Sequence, residues 1–224
     1  MDETEGGLRQ GMRAGAPISL ASLLLGISFG VLAEPVMGTA APIVMSAIVF
    51  AGSAQFGALA VLAAGGGAGA AIAAGVLLNM RYLPMGISIA ASTEGGWFRR
   101  GLAAQPLIDA GWAMSYRGDG RYDIPYMWGF TAVNYPMWVG GTALGVLTGD
   151  MIGDPDRLGL DALFPAFFLG LLMGEATEGR RGWVAALLGA TIALTLAPVT
   201  PAGVPVMTAC LAALVALVPG GDDS

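Results

Sequence analysis

Residues 68–91 read AGAAIAAGVLLNMRYLPMGISIAA, an apolar run interrupted by Asn79 and Arg81 near its centre and by Pro84 just beyond. About 20 apolar residues suffice to cross the hydrocarbon core of a bilayer, so the run has the length of a membrane segment. An arginine at the centre of such a helix costs about 2.5–3.5 kcal/mol on insertion scales. Something must compensate: a buried acid in a structural ion pair, backbone carbonyls at a helix break, or a wet cavity that takes an anionic group such as a substrate carboxylate. Pro84 predicts the break, because proline removes the helical hydrogen bond to residue 80 and leaves that carbonyl for a ligand or water.

The rest of the chain is built in the same way. Further apolar runs cover about Pro17–Ala33, Thr39–Ala64, Leu102–Tyr116, Ile124–Thr148, Leu160–Ala176, Trp183–Ala197 and Val204–Val218. Turn-like sequence separates them, as at Glu34–Gly38, Gly65–Gly67, Arg117–Gly120 and Pro198–Pro205. Of 224 residues, 55% are hydrophobic and 12% charged, and the mean hydropathy is +0.70; soluble domains carry about 25% charged residues. The fold class expected is an all-α membrane protein, a polytopic bundle of about 7–8 transmembrane or re-entrant helices broken near the midplane. One membrane domain, 1–224, then accounts for the chain, with a polar cytoplasmic N-terminus at 1–16 and a short acidic tail at 219–224.

Composition excludes several functions. There is no His and a single Cys, Cys210, so a Ser/His or Cys/His nucleophile system and a metal centre are unsupported. All ten cations are Arg and form no basic tract, which argues against nucleic acid; the formal charge of −6 is spread over loops and ends. No Gly-rich nucleotide loop is present, and no cofactor is implied. Arg9 and Arg13 put the N-terminus on the cytoplasmic side, since cytoplasmic loops carry the excess of cations. Eight simple crossings would place Arg99 and Arg100 outside, a conflict that a re-entrant third run and a non-crossing fourth run remove.

Polar residues at membrane depth are the candidates for function. Within Phe50–Gly57, Gly52 and Gly57 flank Ser53 and Gln55, so backbone can be approached closely beside two hydrogen-bonding side chains. Interhelical hydrogen bonding is the structural alternative. Asn79 and Arg81 complete the candidate substrate-binding set. Asp109 is the candidate for proton coupling, because burial favours the neutral form of a carboxyl group; Glu34, Asp161 and Glu175 lie nearer helix ends. Asn134, before Tyr135-Pro136, is assigned to helix packing. Glycines four apart, Gly26/Gly30, Gly141/Gly145/Gly149 and Gly170/Gly174, predict close helix contacts, and Trp and Tyr near the run ends predict an interfacial belt.

At these residues the chain resembles the large subunit of the AzlC-type branched-chain amino acid exporters. The resemblance rests on Gly15–Gly30, Phe50-Ala51-Gly52-Ser53-Ala54-Gln55-Phe56, Asn79-Met80-Arg81-Tyr82 and Gly159–Phe168, and it spans most of the chain. It implies efflux of valine, leucine, isoleucine and similar neutral amino acids across a bacterial inner membrane, driven by the proton motive force. It also implies a small AzlD-type membrane subunit as partner. A passive channel and a non-transporting scaffold are the competing readings. Arg81 paired with an acid, with no accessible cavity nearby, is what a scaffold would show.

Overall fold

A computed structural model describes residues 3–93, 95–118, 120–152, 166, 169, 172–173, 180–200, 204–209 and 211–212. Cys210, Asp161, Glu175, Gly170, Gly174 and the Gly159–Phe168 stretch lie wholly or largely outside the described residues. Helices dominate: α1 (Glu3–Met37), α2 (Ala40–Val49), α3 (Gly52–Ala63), α4 (Ala68–Asn79), α5 (Tyr82–Ile89) with a 3-10 turn at Ala90–Ser92, α6 (Trp97–Ala104) and α7 (Asp109–Met114). A small antiparallel hairpin follows, β1 (Tyr116–Gly118) with β2 (Arg121–Tyr122), and then α8 (Ile124–Ile152), α9 (Arg180–Leu196) and α10 (Val204–Ala209).

Contacts divide the chain into two compact units, 1–52 with 79–155 and 53–78 with 156–224. The first is organised on α1 and α8, which pack along their lengths. Here the glycine spacing has its effect. A Cβ on Gly26 would lie 2.6 Å from the Trp138 carbonyl, and one on Gly30 would run into the Thr142 carbonyl. In the other direction, Gly141 and Gly145 meet the Leu23 and Ile27 carbonyls. Gly11, Gly15 and Gly129 extend the seam toward the N-terminus. Backbone against backbone replaces the hydrophobic drive that helices lack in lipid. Gly149 sits at the edge of the seam, its nearest contact at 3.8 Å.

Buried polar groups pin the same seam. Asn134, 1% exposed, accepts from Ser22 Oγ at 2.8 Å and donates to the Phe130 carbonyl at 2.9 Å. Ser46 on α2 pairs with Thr142 on α8 at 2.8 Å. Every polar end in this core is matched, as burial in apolar surroundings requires.

Two local expectations need correction. The turn expected at Glu34–Gly38 shrinks to Gly38, whose φ of +76° ends α1; Pro35 lies inside the last turn, and the Gly38 amide donates to the Glu34 carbonyl. The polar N-terminus at 1–16 is helical from Glu3 and continuous with the rest of α1. The Arg117–Gly120 stretch, read as a plain turn, closes a hairpin, since Gly118 and Gly120 supply the positive φ that reversal needs. Between β2 and α8, Asp123 caps α8 by accepting the Tyr126 amide at 3.0 Å and also pairs with Arg117.

The run Thr39–Ala64 divides at Phe50–Ala51 into α2 and α3, and the run Ala68–Ala91 divides at Met80–Arg81 into α4 and α5. Glu5–Met37 and Ala68–Ser92 are long and apolar enough to cross a membrane. Much of that apolar surface faces outward: Leu20, Leu24, Ile72, Val76, Leu83 and Ile87 are all more than half exposed. In the second unit, α3 packs on α4 through Gly57 against Leu78 and Gly75 against Ala54, and α9 lies on α10.

Candidate functional site

The break in the Ala68–Ser92 segment builds one wall of the site. Met80 and Arg81 form a turn, and Arg81 keeps a helical conformation (φ −58°, ψ −26°) as the residue before α5. Pro84 is the third residue of α5, where a missing N–H costs nothing because the first turn has no intrahelical acceptor. The Met80 carbonyl is not freed, contrary to the expectation from Pro84: it accepts the Leu83 amide at 3.0 Å.

Arg81 and Asp109 meet. Arg81 Nη2 lies 2.9 Å from Asp109 Oδ2, with the guanidinium 5.3 Å from the centre of the Tyr82 ring. Both side chains remain partly exposed, 35% and 48%, so the pair is accessible rather than sealed. Asp109 begins α7, after the extended Ile108. The placing of α7 is well determined: Trp112 Nε1 donates to Ser88 Oγ on α5 at 2.9 Å, the Trp112 ring stacks on Tyr122 at 5.5 Å, and Gly111 lies under the Phe130 ring of α8. The cation that needed compensation and the residue expected to carry a proton are thus partners.

Next to this pair, within the first unit, lies a cavity of about 640 Å³, within the range of small-molecule sites. Its walls are the end of α2 with its corner (Ala47–Ala51), Asn79, Tyr82 and Gly86, the Ala104–Leu107 turn, and Trp128, Thr131, Ala132 and Tyr135 on α8. Among the described residues, no charged side chain lines it. Asn79 Oδ1 is buried there without a hydrogen-bond partner. Tyr135 donates its hydroxyl to the Ala47 carbonyl at 2.8 Å, and Thr131 donates to the Pro106 carbonyl at 2.7 Å. Phe50 holds a left-handed conformation (φ 41°, ψ 46°), unusual for a residue with a bulky side chain, and its ring meets Tyr135 edge-on at 5.0 Å.

Of the four residues expected to bind substrate, Asn79 lines the cavity and Arg81 adjoins it through Tyr82. Ser53 and Gln55 do not line it; they are 2% and 0% exposed on α3 in the second unit and have interactions of their own. The close approach expected at Gly52 and Gly57 is made by the chain itself: a Cβ on Gly52 would lie 2.8 Å from the Trp138 ring, and one on Gly57 would run into Leu78. Trp138, expected in an interfacial belt, is 6% exposed and belongs to the core, while Trp97, at 86%, stands free of it. Tyr135, Thr131, Trp128 and Gln105 are cavity residues that sequence reasoning missed. The available signal was Pro136, which marks α8 as irregular one residue after Tyr135.

Comparison with known proteins adds a family. The description "AzlC protein" matches residues 17–152, which include every cavity residue, Arg81 and Asp109. A relative in Bacillus subtilis (strain 168), the branched-chain amino acid transport protein AzlC, is 27% identical over 173 residues, 75% of this chain and 68% of the relative. No solved structure matches.

Proposed function

The chain belongs to the AzlC family, and on that premise we propose that it exports valine, leucine, isoleucine and similar neutral amino acids across a bacterial inner membrane. The observation that carries this reading is an uncharged, partly apolar cavity beside an accessible Arg81–Asp109 pair. Ile48, Val49 and Leu107 give an aliphatic side chain apolar walls. A scaffold would need the ion pair without the cavity, and both are present.

Coupling to the proton motive force is assigned to Asp109. An inward proton gradient can drive export only if proton and substrate are exchanged: the amino acid is taken up on the cytoplasmic side while Asp109 is ionised, with Arg81 offering its remaining donors to the substrate carboxylate. A proton reaching Asp109 from the outer side accompanies release of the amino acid and is given up on the cytoplasmic side. Asn79 contacts the substrate directly. Ser53 and Gln55 stay in the proposed transport path on the strength of their sequence pattern. The N-terminus is cytoplasmic, and a small AzlD-type membrane protein is the second subunit.

Cells loaded with a valine or leucine dipeptide and followed for efflux test the whole scheme. Export should fall when the proton gradient is collapsed, and should be lost in Arg81→Ala at equal membrane abundance. Efflux that ignores both changes favours a passive channel.

A further inference from the structure

We propose that the cavity of the first unit is the subsite for the substrate's ammonium group, so that it recognises a primary ammonium cation even when no carboxylate is attached. The inference deepens the transport reading above and rests on it only for the identity of the natural ligand.

The polar lining holds acceptors of independent origin. Asn79 Oδ1 is buried and unpartnered, a cost that a native core rarely carries without use. Pro136 lies inside α8 and has no N–H to give to the carbonyl four residues earlier; that residue is Ala132, on the cavity wall. The end of α2 brings in Ile48 and Val49. Carbonyls in a last helical turn lack intrahelical donors and carry the negative end of the helix dipole. The left-handed Phe50 turns the chain away at that point and leaves the helix end open to the cavity.

Two of the hydroxyl donors on α8 are already committed. Tyr135 gives its proton to Ala47 and Thr131 to Pro106, so toward the cavity each has lone pairs to offer. The aromatic residues Trp128, Tyr135 and Phe50 share the lining, and ring faces attract a desolvated cation. With no carboxylate in the wall, the cation is held by dipoles and ring quadrupoles, and an ammonium with three donors matches them better than a carboxylate with none.

Valine divides into two probes that test this. Isobutylamine keeps the ammonium and the branched chain; isovalerate keeps the chain and a carboxylate. Binding of each is measured by competition against labelled valine on the purified full-length protein in lipid nanodiscs. Isobutylamine should displace valine, and isovalerate should not do so at tenfold higher concentration. Asn79→Leu should weaken isobutylamine binding roughly tenfold or more, the scale of a lost hydrogen bond to a charged group. Asn79→Asp, which keeps the shape and adds a charge, should tighten it, and this second variant decides the matter if the leucine variant does not fold. Displacement by isovalerate but not by isobutylamine overturns the subsite, as does unchanged amine binding in both Asn79 variants. Direct thermal-shift binding of isobutylamine by a protein that neither binds nor exports valine would instead leave the subsite standing and remove the transport reading.

Discussion

Asp109 and Arg81 each carry a cost in an apolar setting that the other relieves, and this fixes what single substitutions do. Asp109→Asn leaves the guanidinium without its counter-charge. We expect membrane abundance of a fluorescent-tagged protein to fall several-fold, since about 1–2 kcal/mol is enough for such a change in cells. Exchanging the two residues, Arg81→Asp with Asp109→Arg, should recover abundance without recovering efflux, because the cation no longer stands beside Tyr82 at the cavity's edge. Equal abundance of the single and the exchanged variants would show that the pair has no structural weight. The cost of Arg81 was legible from its place in an apolar run, and so was the oddness of Asp109. Their meeting was not, because it depends on α7 being held against Ser88 and Tyr122, and no spacing in the sequence encodes those contacts.

Helices α1 and α8 show what element-level patterns can and cannot tell. Gly26/Gly30 and Gly141/Gly145 were readable as packing faces, and they face one another. Gly11 and Gly15 carry the same four-residue spacing but lie in the polar N-terminal stretch, where it does not read as packing; Gly129 stands alone in the sequence and looks like any other glycine until a partner helix is known. Gly145→Leu should prevent the seam from closing, lowering the yield of monodisperse protein in detergent, whereas Gly149→Ala, with nothing nearer than 3.8 Å, should shift the melting temperature by no more than a degree or two, as for a surface change of about ±0.5 kcal/mol. Pro136→Ala belongs to the same scale. It restores a helical hydrogen bond, so the protein should melt no lower than the parent, while valine export drops several-fold as the Ala132 carbonyl is taken up; that scale is roughly one hydrogen bond. A variant that loses both stability and export together would mark Pro136 as a packing residue. The corner at Phe50 was invisible beforehand, because a bulky residue in a left-handed conformation runs against local preference and is imposed by tertiary contact.

Over the whole molecule, composition already decided the solvent, and the outward-facing Leu20, Ile72, Leu83 and Ile87 agree with it. The number of crossings was less legible, since breaks at Phe50–Ala51 and Met80–Arg81 cut two apolar runs without any change in hydropathy. A cytoplasmic N-terminus makes a direct prediction: with Cys210 replaced, Glu5→Cys should react with an impermeant maleimide only after the inner membrane is opened. Labelling in intact spheroplasts would reverse the orientation. The interlocked spine has a mechanical consequence as well. Two helices whose main chains touch at successive glycines cannot slide by less than a full glycine step without collision, so α1 and α8 must travel as one rigid keel through any working cycle. Whatever opens and shuts the cavity therefore has to be the opposite bank, the end of α2, α5 and the Ala104–Leu107 turn. Spin labels placed across the keel should hold one distance in every state, and labels from the keel to that bank should report two.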